Sequence, residues 1–321
     1  MMLALGLDTS CYTTSCALCD AEGGILQARK ILPVSAGERG LRQSEAVFAH
    51  VRQMSDLLPG LLHEAREPIS CVCASLSPRD GEDSYMPVFQ VGYAQGRSIA
   101  AALRVPFYAT THQRGHIAAA QVGAGLTASR FLALHLSGGT TDVLLVDGEA
   151  LSPISTSLDL HAGQLVDRVG VALDLPFPSG PYLEELARQG TCKNLIPVSM
   201  DKDGLCCHLS GAEAGLLRLI SSGESRENVA AEVYGVLCRT VTRLLTAAAE
   251  KTGAQDALLA GGVISSALLR EMLIQRNQQR RAGLHLHFGR PELSGDNAVG
   301  VALLGLEKYK KERQHGGIDG R

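Results

Sequence analysis

Two stretches of this chain repeat one pattern of three short apolar runs joined by tight polar turns, and this repeat constrains the fold more than any other feature. The first stretch reads LALGLDTS, TSCALCD and GILQARKILPV, and the second reads RFLALHLSG, TTDVLLVDG and ALSPISTSLD. Runs of this length and spacing predict a three-stranded β-meander. Helices and a further buried strand follow each meander. The internal duplication therefore predicts a two-lobed α/β protein.

The length of the chain agrees with two lobes. The chain has 321 residues, of which 45% are hydrophobic, and this is too long for one ordinary core. We expect lobe I to comprise residues 1–118, to which residues 294–311 return, and lobe II to comprise residues 119–293. The last predicted helix runs from about Asp296 to Lys311. We expect the charged, glycine-rich residues 312–321 to be disordered.

Charge and composition exclude several classes of protein. The formal net charge is −3, so no global positive charge attracts the chain to nucleic acid, and an RNA contact would have to be local or made through a partner. No apolar run reaches the roughly 18 residues of a membrane span, and the N-terminus lacks the basic segment of a signal peptide. The nine cysteines are odd in number and mostly lie in apolar runs. We expect free thiols and a cytoplasmic protein.

Three turns rich in glycine or hydroxyl groups predict a nucleotide site. The turns DTSCYTTS and LSGGTTD each join the first two strands of a meander, and their backbone N–H groups and hydroxyls suit a bound phosphate. The third turn, AGGVISS, joins a buried strand to a helix, where a nucleoside can approach the backbone closely. Turn geometry alone explains any one of these glycines. The three turns together favour nucleotide binding.

A pair of histidines predicts a metal site. His112 and His116, in HQRGH, are four residues apart on a predicted helix, a spacing that places two imidazoles on one face and suits a divalent ion. The alternative is two half-exposed histidines at a helix start. No glutamate follows His112, so the pattern differs from the HExxH of zinc proteases. A metalloprotease is therefore the least favoured function.

The order of these elements resembles the sugar kinase, heat-shock chaperone and actin superfamily, in which two lobes hold ATP. Within it, the chain resembles the TsaD family, which makes the threonylcarbamoyl modification of adenosine in tRNA. The resemblance runs from residue 3 to about residue 310 and rests on HQRGH, LSGGTTD, SLDLHAGQLVDRVGVALDLPFPSGP, HLSGAEAG, LAGGVISS and SGDNAVGVALLG. It implies an α/β, duplicated ribonuclease-H-like (actin-like ATPase) fold with two lobes around a nucleotide cleft.

The resemblance also implies two sets of site residues. Its metal ligands are His112, His116 and Asp296, and the implied ion is iron, with zinc as the alternative for this mixed set of nitrogen and oxygen ligands. Its ligand is ATP, AMP or an acyl-adenylate. The residues that match the family's nucleotide site are Ser137, Gly138, Gly139, Thr140, Asp167, Gly180, Glu184, Gly261, Gly262 and Ser266. The catalytic residues stay open, with Asp8 and Tyr12 as candidates.

Several positions depart from the family pattern. Tyr12 and Thr13 replace two carboxylates of the first turn, and neither residue type is an effective base near neutral pH. The other departures are Thr140 for histidine, Gln164 for glutamate, Glu213 for lysine and Ser266 for asparagine. Together they remove acid–base capacity while the glycines and the metal ligands stay. The chain is therefore either a transferase with a different acceptor or a subunit without the parent reaction.

Two charged segments have an open interpretation. One contains Arg79, Asp80, Glu82 and Asp83, where the family has a short neutral turn, and the other contains Arg39 and Arg42. Each is either a solvated loop or a contact for a substrate carboxylate or phosphate.

Two functions remain. The first is a metal-dependent, adenine-nucleotide-binding threonylcarbamoyl or carbamoyl transferase that uses an altered amine acceptor. The second is a non-catalytic nucleotide-binding partner or regulator subunit related to TsaD. The retained metal ligands favour the enzyme, whereas Tyr12 and Thr13 favour the subunit or a changed acceptor. The expected partners are the adenine nucleotide or acyl-adenylate, tRNA through partner subunits, and a second subunit in a homodimer or heterodimer. We expect no membrane association.

Overall fold

The structure is a computed structural model that describes residues 2–10, 12–33, 41–81, 83–280 and 283–316, with side chains described up to residue 314. The chain divides into two compact units. Unit 1 comprises Met1–Val122 and Gly295–Arg321, and unit 2 comprises Gly123–Ser294. Each unit contains one β-sheet with helices packed against it. The predicted α/β class is confirmed.

Unit 1 contains a five-stranded sheet in the order β3-β2-β1-β4-β5. The first three strands are antiparallel neighbours, whereas β1, β4 and β5 run parallel. The elements are β1 (Leu3–Thr9), β2 (Thr13–Asp20), β3 (Ile25–Ile31), α1 (Gln43–His63), β4 (Ile69–Ser77), α2 (Phe89–Leu103), β5 (Phe107–Thr111), α3 (His112–Gln121) and α9 (Val299–Gly316). Every residue of β1 is buried, because helices cover both faces of a central strand in such a sheet.

Unit 2 contains a seven-stranded sheet in the order β12-β11-β6-β7-β8-β10-β9. Its core centres on the long helix α7, most of whose residues are buried. The elements are β6 (Arg130–Leu136), β7 (Thr141–Asp147), β8 (Ala150–Ser157), α4 (Ala162–Ala172), α5 (Gly180–Ala187), β9 (Ser199–Met200), β10 (Cys206–His208), α6 (Ser210–Ser221), α7 (Arg226–Thr252), β11 (Asp256–Ala260), α8 (Ala267–Arg280), β12 (His285–Phe288) and a 3₁₀ turn at Pro291–Leu293.

The sheets of the two units repeat one topology. In unit 2, β6, β7 and β8 form an antiparallel meander, and β11 and β12 continue the sheet in parallel from β6. The order β8-β7-β6-β11-β12 therefore corresponds to β3-β2-β1-β4-β5 of unit 1. The duplication predicted from the repeated meanders is confirmed.

Two features differ from the sequence-based expectation. The strands β9 and β10 were not expected, because runs of two and three residues carry no readable periodicity. The last helix, which we expected to end near Lys311, continues to Gly316. The hydroxyl of Tyr108 donates a hydrogen bond of 2.5 Å to the carboxylate of Glu312, which holds this part of the helix against β5. Residues 317–321 of the predicted disordered tail lie outside the described residues.

The cysteines of the described residues are all free thiols. Burial raises the pKa of Cys16 and Cys71 to about 12, so these thiols are poor nucleophiles. Cys11 lies outside the described residues. No helix in the described part of the chain is long and apolar enough to span a bilayer.

Candidate functional site

The first candidate site lies in unit 1, where α3 and α9 pack closely. Gly115 of α3 faces Gly300 of α9, and a Cβ atom at Gly300 would overlap the carbonyl oxygen of Gly115. Two glycines thus permit a backbone approach that any side chain would prevent. The close approach brings the first turn of α3 next to the loop that precedes α9.

This packing brings the three predicted metal ligands together. Nε2 of His116 lies 3.0 Å from Nε2 of His112 and 3.2 Å from Oδ1 of Asp296. Nε2 of His112 lies 3.4 Å from the same Asp296 oxygen. Two imidazole nitrogens and one carboxylate oxygen therefore form a small triangle, and this is the only cluster of possible metal ligands among the described residues.

Buried polar groups hold the triangle from behind. Nδ1 of His112 lies 2.9 Å from Oδ2 of Asp8, and the hydroxyl of Ser75 donates to the other Asp8 oxygen. The Asp8 side chain is 0% exposed. The hydroxyl of Ser10 donates a hydrogen bond of 2.5 Å to Oδ2 of Asp296. A carboxylate only accepts hydrogen bonds, so Asp8 keeps a proton on Nδ1 of His112, and in the neutral ring the Nε2 lone pair then faces the triangle.

The electrostatics of the cluster favour a positive charge within it. Burial disfavours the charged form of His112, yet Asp8 and Asp296 outweigh burial and raise the pKa of His112 well above its ordinary value. Burial likewise raises the pKa of Asp296, but hydrogen bonds from His112 and His116 outweigh it and hold this pKa well below its ordinary value. The two carboxylates thus favour a positive charge in the cluster, either on His112 or on an ion held by the three ligands.

The donor geometry fits a divalent transition metal. Neighbouring ligand atoms around a tetrahedral or octahedral ion with bonds of about 2.0–2.2 Å lie about 2.8–3.6 Å apart. The three separations in this cluster are 3.0, 3.2 and 3.4 Å. Three protein ligands on one side of an ion would leave positions for another molecule. The Asp8 carboxylate behind His112 is the kind of support that metal-binding histidines have.

The other residues of the first turn are placed differently from Asp8. The Tyr12 side chain is 61% exposed, whereas Thr13, the first residue of β2, is 7% exposed. Thr14 lies behind them, and its hydroxyl contacts Nδ1 of the buried His50 at 2.7 Å. Nε2 of His50 lies 2.8 Å from the carbonyl oxygen of Ser10. His50, from α1, therefore holds the segment that carries Ser10, and no sequence signal predicted this role.

The second candidate site is a cavity of about 320 Å³ in unit 2. It lies where the turn after β6, the start of α4, the first turn of α5 and the turn after β11 meet. Six predicted nucleotide-binding residues line it, namely Gly138, Asp167, Gly180, Glu184, Gly262 and Ser266. Ser137, Gly139, Thr140 and Gly261 do not line it but lie near lining residues in the chain. Two further lining residues, Val263 and Ser265, belong to the predicted turn AGGVISS. The lining residues that were not predicted are Gly163, Val166, Pro178, Pro181 and Tyr234.

The glycines around this cavity fall into two groups. A Cβ atom at Gly163 would lie 2.6 Å from the backbone nitrogen of Gly138, and Gly261 has a φ of +104°, so the fold itself requires these two glycines. At Gly138, Gly139 and Gly262 the φ angle is ordinary, and a Cβ atom would meet nothing within 4 Å. The fold gives no reason for these three glycines. Open space above a bare backbone suits the close approach of a ligand.

The polar groups of the cavity combine occupied and free acceptor atoms. One Asp167 oxygen accepts a hydrogen bond of 2.8 Å from the backbone N–H of Ser179. One Glu184 oxygen accepts a hydrogen bond of 2.8 Å from the backbone N–H of Leu268, at the start of α8, and contacts Arg188 at 3.2 Å. The second oxygen of each carboxylate has no hydrogen-bond partner within the described residues. Each carboxylate is thus held in place with one acceptor left for a hydroxyl group.

Two side chains complete one wall of the cavity. The hydroxyl of Tyr234, from α7, donates a hydrogen bond of 3.2 Å to the carbonyl oxygen of Gly180. Burial raises the pKa of Tyr234, so the hydroxyl stays neutral. The hydroxyl of Ser266 accepts a hydrogen bond of 3.1 Å from the backbone N–H of Leu269 and so contributes to the N-terminal capping of α8.

Two of the departures in unit 2 have side-chain contacts within the fold. Gln164 accepts a hydrogen bond of 3.0 Å from the backbone N–H of His161 and caps α4. Glu213 forms an ion pair of 3.3 Å with Arg168. Thr140 closes the turn after β6 through its backbone carbonyl oxygen, which accepts a hydrogen bond of 2.8 Å from the N–H of Ser137 and does not depend on the side chain.

The charged segment before α2 contacts α3. Arg114 binds Asp80 through its Nε and terminal nitrogens at distances from 2.5 to 3.1 Å, and Thr111 donates to the same carboxylate at 3.1 Å. The hydrogen bonds from Arg114 lower the pKa of Asp80. Asp80 therefore braces the start of the helix that carries His112 and His116, rather than facing only solvent. Arg39 and Glu82 lie outside the described residues.

Solved structures with the same fold come from several unlike proteins. Component A of (R)-2-hydroxyglutaryl-CoA dehydratase from Acidaminococcus fermentans matches with a TM-score of 0.56 at 16% identity over 97% of this chain and 100% of that chain. HypF of T. kodakarensis matches with a TM-score of 0.64 at 15% identity over 97% of this chain and 48% of that chain. A ROK family glucokinase from Streptomyces griseus, solved with glucose and AMPPNP, matches with a TM-score of 0.55 at 14% identity over 95% and 99%. The fold is that of the actin-like ATPase superfamily.

A family model gives the closer assignment. It matches residues 84–303, a span that contains the three residues of the metal-ligand triangle in unit 1, though not Asp8, and every lining residue of the cavity in unit 2. The family is described as tRNA N6-adenosine threonylcarbamoyltransferase. The chain belongs to the TsaD family, whose members have a nucleotide-binding, actin-like fold used in acyl transfer.

Proposed function

We propose that this chain is a metal-dependent acyltransferase that binds an acyl-adenylate and transfers a threonylcarbamoyl or related carbamoyl group to an amine. The observation that carries the proposal is the triangle of His112, His116 and Asp296 with Asp8 behind it. A protein that only binds a nucleotide has no need of this cluster. The fully buried Asp8 contacts His112, the partly buried Asp296 contacts both histidines, and this concentration of negative charge favours a bound cation.

The cavity in unit 2 is the proposed site for the adenylate. Gly138, Gly139 and Gly262 leave bare backbone where nothing in the fold requires a glycine, and this supports a phosphate or nucleoside lying against them. The free oxygens of Asp167 and Glu184 are acceptors for the two hydroxyls of a ribose. Ser266 offers a shorter side chain than the asparagine of the family, and its hydroxyl already accepts from Leu269.

The triangle in unit 1 is the proposed site for the metal ion, with iron as the first choice and zinc as the second. A divalent ion held there would supply Lewis-acid polarisation of a carbonyl or carboxylate oxygen. Asp8 then acts as a positioning residue, because both of its oxygens are engaged by His112 and Ser75 and it is fully buried. This placement disfavours Asp8 as a group that touches the substrate.

The proposed reaction breaks one bond and forms one. The bond between the acyl carbon and the phosphate oxygen of the adenylate breaks, and a bond from that carbon to the acceptor nitrogen forms. AMP leaves with the electron pair of the broken bond, and the amine proton passes to the released phosphate or to water. The oxidation states of all atoms are unchanged, so no further co-reactant is needed.

The acceptor is proposed to differ from that of the parent family. The first turn offers a neutral, exposed Tyr12 and a buried Thr13 where the family has carboxylates. The same observation supports the second candidate function, a nucleotide-binding subunit that pairs with an active family member. A catalytic subunit needs the metal ion for turnover, whereas a binding subunit needs only the adenylate.

Ligand analysis of the purified chain tests the proposal. Elemental analysis should find close to one iron or zinc ion per chain, and mass spectrometry should identify an adenine nucleotide released on denaturation. His116→Ala should lose the ion and keep the nucleotide, whereas Gly262→Leu should do the reverse. The exposed His63 of α1 provides a matched control, and His63→Ala should retain both ligands. A wild-type chain without any divalent ion after reconstitution would refute the metal site.

A further inference from the structure

Four arginines form one surface on the helices α7 and α8 of unit 2. Arg239 and Arg243 are four residues apart on α7, and Arg276 and Arg280 are four residues apart on α8. Residues with this spacing lie on one face of a helix, and the two helices pack against each other. We name these four residues the α7–α8 arginine surface.

No carboxylate neutralises this surface within the described part of the chain. Arg239 donates a hydrogen bond of 2.6 Å to the carbonyl oxygen of Ile196, and Arg243 donates one of 3.4 Å to the carbonyl oxygen of Val198. These carbonyl groups accept hydrogen bonds from the guanidinium groups but do not neutralise their positive charge. Among the described residues, none of the four arginines forms an ion pair, although three other arginines of unit 2 do so.

The four charges lie close enough to repel one another. Burial lowers the pKa of Arg276, and the charges of Arg280, Arg239 and Arg243 lower it further. The Nε atom of Arg276 is buried and has no hydrogen-bond partner within the described residues. Neighbouring like charges destabilise a helix surface, so the fold gains nothing from this arrangement by itself.

The sequence around Arg276 is also free of acidic residues. From Met272 to Pro291 the chain contains four arginines and no aspartate or glutamate, and glutamines and an asparagine fill the end of α8. The chain as a whole has a net charge of −3, so this positive surface is local. Arginine with neutral amide side chains is the composition that contacts nucleic-acid phosphates and sugars.

We propose that the α7–α8 arginine surface binds the phosphate backbone of an RNA, the macromolecule that carries the acceptor. This inference rests on the proposed function, because an acyltransferase of this family acts on RNA. Two of the four arginines have a structural role without RNA. Arg280 is the last residue of α8 and interacts favourably with the C-terminal end of that helix. Arg239 donates hydrogen bonds to Asn194 and to the carbonyl oxygen of Ile196. Neither explanation accounts for Arg276, and the single hydrogen bond of 3.4 Å from Arg243 to the Val198 carbonyl leaves the charge of Arg243 without a counter-charge.

Salt-dependent RNA binding tests the inference. The test variant combines Arg243→Gln, Arg276→Gln and Arg280→Gln, and leaves Arg239 to hold its loop. The control variant combines Arg66→Gln, Arg97→Gln and Arg218→Gln, which removes the same charge from exposed positions elsewhere. Fluorescence anisotropy with an unmodified transfer RNA transcript gives the dissociation constant over a range of salt concentrations. Both variants should keep the wild-type unfolding temperature, and Arg243→Gln alone serves if the triple variant unfolds.

The arginine surface predicts a change in the salt slope. The plot of log affinity against log salt concentration has a negative slope. Its magnitude should decrease by about 2–3 for the test variant and by about 0.7–0.9 for Arg243→Gln alone. The control variant should match the wild type. A wild-type chain that does not bind the transcript, or equal slopes in the test and control variants, would overturn the inference. AMP binding is measured in parallel, and its absence would contradict the proposed function while the RNA result stands by itself.

Discussion

The Nδ1 atom of His112 lies 2.9 Å from the buried carboxylate of Asp8, although the two residues are 104 positions apart in the chain. The contact joins the end of β1 to the start of α3. It fixes the ring so that Nε2 faces His116 and Asp296. The proposed metal site therefore depends on a residue that does not itself contact the ion.

Replacing Asp8 should weaken metal binding without removing a ligand. Asp8→Asn keeps the shape and can still accept from Ser75, but it loses the charge that supports His112. We expect the affinity for the ion to fall about 10–100-fold, measured by competition with a chelating dye. The exposed Asp56 of α1 provides the control, and Asp56→Asn should bind as the wild type does. Equal affinities for Asp8→Asn and the wild type would show that Asp8 has no supporting role.

The two groups of glycines in unit 2 should respond differently to alanine. Gly138→Ala places a methyl group in open space at the cavity wall, so we expect unchanged stability and adenine-nucleotide affinity at least about 10-fold lower, because the methyl group occupies the ligand's position. Gly163→Ala forces a methyl group against the backbone of Gly138 and should lower the free energy of unfolding by about 1–3 kcal/mol.

Calorimetry and thermal unfolding separate these effects. A methyl group added at Gly211 of α6 would also meet nothing within 4 Å, and Gly211 lies outside the cavity, so Gly211→Ala is the control for both measurements. Unchanged nucleotide affinity in Gly138→Ala would place the nucleotide somewhere else.

The architecture could be predicted from the sequence because it repeats. Two meanders with polar turns predicted the antiparallel pairing of β1, β2 and β3 in unit 1 and of β6, β7 and β8 in unit 2. The pair of β9 and β10 was missed, since its register depends on pairing with β8 rather than on its own residues. The end of α9 was placed too early because its contact with Tyr108 is not local.

The candidate site was only partly predictable. The spacing of His112 and His116 is a local pattern, so the sequence alone predicted this pair of metal ligands. Asp296 was predicted only from the resemblance to the family. Asp8 was predicted as a candidate catalytic residue and not as a support for His112. Tyr234 lies in the middle of a buried helix, where the sequence pattern predicts that any aromatic residue belongs to the hydrophobic core. Gly163 lies in the first turn of α4, and only its three-dimensional contact with Gly138 explains why a glycine is needed there.

The buried His50 should make the protein less stable in mild acid. Burial lowers its pKa below the ordinary value of 6.5, against the opposing effects of the Ser10 carbonyl and Asp8. Below that value the unfolded chain binds a proton that the folded chain does not. The free energy of unfolding therefore falls as the pH drops through 6.5 and levels off below the folded-state pKa.

Urea denaturation at neutral pH and at about pH 5 measures this effect. His50→Gln should lose less stability than the wild type between the two pH values, although it is less stable at neutral pH because Thr14 and Ser10 lose a partner. His63→Gln, at an exposed position of α1, should follow the wild type. If His50→Gln and the wild type lose the same free energy of unfolding between the two pH values, His50 does not cause the loss of stability in mild acid.

The first turn should prevent this chain from replacing an authentic TsaD. In cells depleted of their own enzyme, we expect no growth and no threonylcarbamoyl modification of tRNA from the wild-type chain. Tyr12→Asp should fold normally because the position is exposed, whereas Thr13→Glu buries a charge and should destabilise the fold by several kcal/mol. Modified tRNA in cells that rely on the wild-type chain would show that Tyr12 and Thr13 support the parent reaction.

The release of AMP from threonylcarbamoyl-adenylate tests the central claim most directly. The purified, metal-loaded chain is mixed with this adenylate and total cellular RNA, and AMP is quantified over time by chromatography, with RNA-free and protein-free reactions as references. The account predicts AMP release above both references for the wild type, and release at the protein-free rate for His116→Ala and Gly262→Leu. A wild-type chain that binds both the metal and the adenylate but releases AMP no faster than the protein-free reaction would contradict the transferase and favour the nucleotide-binding subunit.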